Sequence, residues 1–177
     1  MSHTTARQAN LLGTLSLAVT GHSADAVDAA SPQADSAPAA LVALEGYLGG
    51  EPIDALRRVL GLTHSGAVRL VDRLAAAGLA VRSEGADQRT VAVTLTPAGS
   101  RAAGRIRAAR ETALEDVLGA LTRAERETLT ALHEKLLAGL TTDRRSARRL
   151  CRLCDPEACG HHRGTCPVTE ARIASAG

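Results

Sequence analysis

Apolar residues recur at helical spacing through most of the chain, and the period changes once. Residues 5–29 read as an Ala- and Leu-rich helix, with Leu11, Leu15, Ala18, His22 and Ala26 on one stripe. Ser31-Pro32 through Ala37-Pro38 breaks it. Leu41, Leu44, Tyr47 and Leu48 then have helical spacing, ended by Gly49-Gly50-Glu51-Pro52. Pro52 suits the first turn of the next helix, whose apolar face is Ile53, Leu56, Val59 and Leu60. Gly61-Leu62-Thr63 reads as a tight turn. Thr63 can cap a further helix carrying Ala67, Val68, Val71 and Leu74, which stops at Gly78.

The period then switches from 3.6 to 2. Leu79–Arg82 and Val91–Leu95 read as paired strands around a polar tip, Ser83–Thr90. Thr96-Pro97 starts a long helix with Ile106, Ala109, Ala113, Leu114, Val117 and Leu118 as its apolar residues. Thr122-Arg123-Ala124-Glu125 is a capping box. It opens a last helix with Leu129, Leu132, Leu136, Leu137 and Leu140 in register. The expected fold is mainly α with a small β-hairpin wing: a winged helix–turn–helix plus a helical dimerisation domain. The domain order is 1–37 dimerisation helix and linker, 38–99 DNA-binding domain, 100–149 dimerisation helices and 150–177 Cys-rich tail.

Two short helices, a turn and a hairpin place the second helix in a DNA major groove, with its N-terminal residues at base edges. The outward residues at its start are Thr63, His64, Ser65 and Gly66, followed by Arg69, Asp72 and Arg73. Arg69 carries the fork that pairs with guanine O6 and N7. Arg73, one turn on, suits a phosphate. Arg89 near the end of the hairpin loop can enter a narrow minor groove, steadied by Asp87. The blander reading is a solvated helix face and an incidental surface ion pair; the hairpin following the helix argues against it.

Composition narrows this. The 177 residues carry 21 Lys+Arg against 19 Asp+Glu, a net charge of +2. So slight a balance does not itself indicate nucleic acid, and the placement of charge matters more. Residues 1–51 hold one Arg and five acids, 52–101 seven Arg and four acids, and 141–152 five Arg and one Asp. The chain has one Tyr and no Phe or Trp, so the core must be aliphatic and base stacking on aromatic platforms is excluded. No apolar run approaches the ~20 residues of a membrane span. Arg7, Leu11–Val19 and Ala24-Asp25-Ala26 together suggest a secretory leader, but Gly13, Thr14 and Ser16 interrupt the apolar stretch. The expected location is the cytoplasm.

The stretch LTHSGAVRLVDRLAAAGLAVRSEGADQRTVAVTLTPAG, residues 62–99, resembles the MarR family of multiple-antibiotic-resistance regulators. The resemblance lies in Arg69–Leu74, the Gly78-Leu79 exit, Asp87-x-Arg89 and the Leu95-Thr96-Pro97-Ala98-Gly99 junction. It implies a homodimeric transcription regulator, usually a repressor, whose first and last helices interlock. It implies Ser65 and Arg69 at base edges of a pseudo-palindromic operator, with Asp87 and Arg89 in the wing. Gly66 and Val68 depart from the Ser or Thr common there, which makes hydrogen bonding to bases sparser. Leu11, Leu15, Leu132, Leu136 and Leu140 support dimerisation independently, since so short a chain can hardly cover them all. A small-molecule effector is compatible with this reading, and its identity is not legible.

The tail lies outside that resemblance. All four cysteines fall within sixteen residues, as Cys151-x2-Cys154-x4-Cys159-x6-Cys166. Four thiolates so spaced suit a closed tetrahedral Zn2+ site, with Gly160 and Gly164 permitting a tight backbone. An iron–sulfur cluster is the alternative, since Cys166-Pro167 resembles the end of ferredoxin-type runs. Thiol–disulfide switching is a third, which would make the cysteines a redox sensor acting on DNA binding. His161 and His162 lie in the loop and are expected to be spectators. Arg144, Arg145, Arg148, Arg149 and Arg152 are expected to depress the thiol pKa values or to form a solvated basic helix end. The tail is expected to be a knob on the end of the last helix, near the dimer interface and bracing the second subunit. No Ser/His/Asp order, phosphate loop or carboxylate pair points to an enzyme.

Overall fold

The computed structural model describes residues 3–84 and 90–174. Its helices are α1 (His3–Ala30), α2 (Ala37–Ala43, continued by a wide turn over Leu44–Leu48), α3 (Ile53–Leu60), α4 (His64–Ala76), α5 (Pro97–Leu118), α6 (Arg123–Leu140), α7 (Arg144–Leu150) and α8 (Pro167–Ala174). Two strands, β1 (Ala80–Glu84) and β2 (Val91–Leu95), pair antiparallel with Ala80 opposite Leu95 and Glu84 opposite Val91. The backbone of residues 50–52 runs along the other edge of β2: Gly50 donates to Val93 O, Val93 donates to Glu51 O, and Pro52 bridges Ala92. Pro52 therefore stands at the N-cap of α3 with extended backbone, one position before the first turn expected for it.

The helix–turn–helix is fixed by local chemistry. Gly61 closes α3 in the left-handed region at φ 70°, where a Cβ would be strained. Thr63 then caps α4 by accepting from Gly66 N at 3.1 Å. At the far end Gly78, φ 67°, turns the chain and Leu79 N returns to Leu74 O. Thr96 locks this exit to α5. Its hydroxyl donates to Gly78 O at 2.6 Å and accepts from Gly99 N at 3.1 Å. Gly99 is obligatory there, because a Cβ would overlap the Leu79 carbonyl oxygen. The Leu95-Thr96-Pro97-Ala98-Gly99 junction is thus a clamp between the hairpin, the α4 exit and α5.

The core is aliphatic throughout. Leu41, Leu48, Leu56, Leu70, Leu74 and Ile106 are fully buried, with Val42, Val59, Val71 and Val93 between them. Three details depart from the periodicity. Leu70 takes the core position on α4 and Val68 is half-buried, because α4 turns its Ala67/Leu70/Val71/Leu74 face inward. Leu60 is half-buried at the exposed end of α3. On α5 the deep contacts come from Ala102, Ala103 and Ile106, whose small neighbours allow close helix packing, while Val117 is exposed.

Helices α1 and α6 have almost no interior. Along α1 only Val27 is buried, and α6 buries no residue. Leu11, Leu12, Leu15 and Leu17 on α1 are about half or more exposed, as are Leu132, Leu136 and Leu140 on α6. Within one chain α1 lies along α5 and leaves these leucines to solvent. No helix among the described residues is long and apolar enough to cross a membrane.

The chain after α6 differs most from expectation. The basic segment is a separate helix, α7, started by its own capping box: Asp143 accepts from Ser146 N at 2.6 Å and Ser146 Oγ accepts from Asp143 N at 3.0 Å. The tail is not a free-standing knob at the end of α6. It folds back on its own chain, with α7 against α3, the turn at Cys151–Leu153 against α2, and α8 against α6. Leu153 reaches the main core, and Tyr47 donates to the Arg148 carbonyl at 3.0 Å. Burial of these contacts outweighs the solvation of a basic helix end.

Candidate functional site

Helix α4 presents Thr63, His64, Ser65 and Arg69 to solvent, together with Asp72 and Arg73. Its opposite face is held by Leu70, Val71 and Leu74, so the exposed face cannot rotate inward without unpacking the core. Thr63 Oγ1 is committed to the Gly66 cap and lies 3.3 Å from Ser65 Oγ. Arg73 reaches Asp35 at 3.7 Å, an exposed pair of little strength that a phosphate can replace. Asp72 pairs with Arg82 of β1 at 2.8 Å. That pair, with Arg82 also donating to Val68 O, ties the hairpin to α4. Asp87 and Arg89 lie outside the described residues. Arg69 makes no ion pair among the described residues.

Behind α4, Asp54 on α3 pairs with Arg57 and Arg58. The Arg57 hydrogen bond holds its carboxyl below the usual carboxylate range, with Arg58 and His64 adding to the effect. Positive charge therefore continues from the start of α4 onto α3.

The second site is a cavity of about 210 Å3. Cys151, Cys154, Cys159 and Cys166 all line it, with Tyr47, Arg144, Arg148, His161 and Arg172. Local turns bring the four together. Asp155 Oδ1 accepts from the Glu157 and Ala158 amides and starts the loop, and left-handed Gly160 and Gly164 fold it back. A Cβ on Gly160 would overlap Thr165 Oγ1. Cys166 and Val168 pack with Ala147 to close the inner wall. His161 stands at the cavity wall with Nδ1 2.9 Å from Thr169 Oγ1, while His162 turns toward Glu157 at 3.5 Å.

The thiols are free and unbridged. Burial pushes the Cys151 thiol up to about 11 and the Cys159 thiol up to about 12, with neighbouring cysteines adding to both. Burial likewise raises Cys154. At Cys166 burial also acts upward, but hydrogen bonds from the Thr169 hydroxyl and from the Thr169 and Val168 amides outweigh it, and its pKa falls. The upstream arginines do not depress these thiols as expected, because desolvation is the larger effect. Arg110 of α5, far away in sequence, acts on the Cys154 thiol. Neighbouring Arg107 pairs with Asp155 at 3.7 Å and keeps its Nε buried without a hydrogen-bond acceptor. Among the described residues, no three His, Cys, Asp or Glu side chains converge on one point at the distance a single ion needs.

Some of this was out of reach of the sequence. Asp143-x-x-Ser146 is a legible helix start, and it marks α7. Nothing local marks Tyr47, Arg107 or Arg110 as neighbours of cysteines far along the chain.

No family model matches the sequence, and neither does any curated protein. Solved structures do. MepR, a transcription regulator of the Staphylococcus aureus multidrug efflux pump MepA, aligns with a TM-score of 0.64 at 18% identity, over 75% of this chain and 97% of that one. MarR from E. coli in its apo form aligns at 0.59 and 22%, over 71% and 96%. A probable transcriptional regulator from Pseudomonas aeruginosa aligns at 0.52 and 27%, over 71% and 93%. The capped helix–turn–helix, the hairpin and the long flanking helices of this chain are thus the winged-helix fold of the MarR regulators.

Proposed function

We propose that the chain is a homodimeric, sequence-specific DNA-binding transcription regulator, a repressor acting in the cytoplasm. One observation carries this: α4 is locked in the core by one face while its other face offers Ser65, Arg69 and Arg73 to solvent, braced by the hairpin through Arg82 and Asp72. The half-exposed leucines of α1 and α6 support a dimer, since their mutual burial is the ready way to remove them from water. Two recognition helices related by a two-fold axis read half-sites about one turn apart, ~34 Å. In that complex Arg69 specifies a base and Arg73 holds a phosphate, with Thr63 and His64 at the groove edge and Asp87 and Arg89 serving the wing.

The test is DNA binding to a selected operator against random DNA. Arg69→Ala is expected to cost about 1–3 kcal/mol at one base pair and relax sequence preference. Arg73→Ala is expected to weaken all sequences alike. Equal loss of specific and random binding in both variants overturns the assignment.

The thiol cavity is proposed as a metal site held by Cys151, Cys154, Cys159 and Cys166. Zinc would supply a structural crosslink there. The spacing of the sulfurs favours a second reading. A lone zinc needs all four sulfurs about 2.3 Å from one point, and the sulfurs do not converge so closely here, whereas a polynuclear iron–sulfur cluster takes sulfurs spaced more widely. Arg110, Arg144 and Arg148 stand ready to offset the anionic charge of either group. Elemental analysis and the visible spectrum of freshly purified protein decide between them. Zinc without colour supports the first, iron with acid-labile sulfide the second, and neither metal overturns both.

A further inference from the structure

A second hollow, of about 330 Å3, opens between α3 and α7. It is lined by Arg58 and Val59 of α3, Glu51 before it, and Arg144, Arg145 and Arg148 of α7. Four guanidinium groups face one carboxylate. Arg58 is answered by Asp54 and Arg145 lies close enough to act on the Asp143 carboxyl, while Arg144 and Arg148 form no ion pair among the described residues. Concentrating positive charge in such excess is unfavourable unless an anion arrives. The strip extends toward the recognition helix. The Arg149 guanidinium lies 3.8 Å from the position a Cβ would take on Gly61, the turn that leads into Thr63 and α4. His64, the first residue of α4, lies close enough to act on Asp54. A basic strip thus runs from the start of α4, past the turn, along α3 and onto α7.

From this placement we propose that α7 is a second DNA-binding element: Arg58, Arg145 and Arg149, with Arg144 and Arg148 behind them, bind phosphates of the operator backbone beside the site read by α4. The inference rests on the DNA-binding reading above and adds a partner surface to it. Phosphate oxygens match guanidinium forks, and the strip reaches His64 at the start of the helix that carries Arg69. Arg144 and Arg148 also line the thiol cavity, so the cysteine module that holds α7 against α3 holds the phosphate contacts with it.

The test uses Arg145→Ala/Arg149→Ala, which spares every residue lining the thiol cavity. Binding of the full-length protein to a selected operator is measured from 50 to 200 mM salt. Each phosphate contact contributes about 0.9 to the slope of log affinity against log salt. The double variant removes two contacts per protomer and so four per dimer; it is expected to lose about 3.6 units of slope, so that its deficit is about 150-fold larger at 50 mM than at 200 mM, on specific and random DNA alike. Arg69→Ala is the internal control. If it changes sequence preference while the double variant keeps wild-type affinity and slope, the α7 proposal is overturned and the regulator reading stands. If neither variant affects DNA binding, the regulator reading itself fails. Pyrophosphate is titrated in parallel. Saturable binding that the double variant loses, with DNA binding unchanged, would assign the hollow to a free anion and overturn the DNA assignment.

Discussion

The winged core buries six large side chains completely, Leu41, Leu48, Leu56, Leu70, Leu74 and Ile106, whereas residues 143–174 bury Ala147, Cys166 and Val168 as their hydrophobic interior. The core closes by interlocking aliphatic side chains, and Gly99 sits where backbone meets backbone. The cysteine module closes around a cavity, and its own apolar burial is slight. Units below about 40 residues usually need a disulfide, a metal or a partner to stay folded. The module shows one such support, its docking on α2, α3 and α6, and the metal proposed for its four thiols would be a second. Burial disfavours ionisation of three of those thiols, so a cation entering there would have to displace their protons.

Two glycine substitutions would break this contrast if they behaved alike. Gly99→Ala forces a Cβ onto the Leu79 carbonyl, a backbone atom fixed by α4 and β1. It is expected to cost about 3 kcal/mol or more and to lower the global urea midpoint. An unchanged midpoint would show that the clamp at Thr96 is not tight. Gly160→Ala meets the movable Thr165 hydroxyl and a left-handed backbone at φ 77°. Its cost is expected to be about 1–2 kcal/mol and confined to the module. Limited proteolysis should then cut within 143–174 while the core transition keeps its midpoint. Global unfolding by Gly160→Ala would mean that the two regions form one cooperative unit.

The smallest effect sharpens the comparison at the join. Tyr47→Phe removes the hydroxyl that donates to Arg148 O and leaves the ring. It is expected to cost about 0.5–1.5 kcal/mol of docking. Amide exchange should quicken in α7 and not in α4. Equal quickening in both would place the bond in the core's own cooperativity.

The sequence by itself determined the elements wherever the signal was local. Thr63, Gly61, Gly78 and the Thr122–Glu125 box mark helix ends because caps and left-handed turns involve neighbours a few residues apart. The alternation after Gly78 marked the hairpin for the same reason, and the exposed face of α4 followed from its period. The Asp143 cap was equally local, and the charge of the segment hid it. What the tertiary structure decided depends on distant packing. Whether Val68 or Leu70 faces inward is decided by how α4 packs on its neighbours, which periodicity leaves open. The destination of the tail was also undecided, because Tyr47, Arg107 and Arg110 signal nothing until α2 and α5 bring them to the cysteines. The thiol pKa values moved against expectation for that reason. Arg144 and Arg148 do line the cavity, but burial, a property of the whole fold, is the larger effect on Cys151, Cys154 and Cys159.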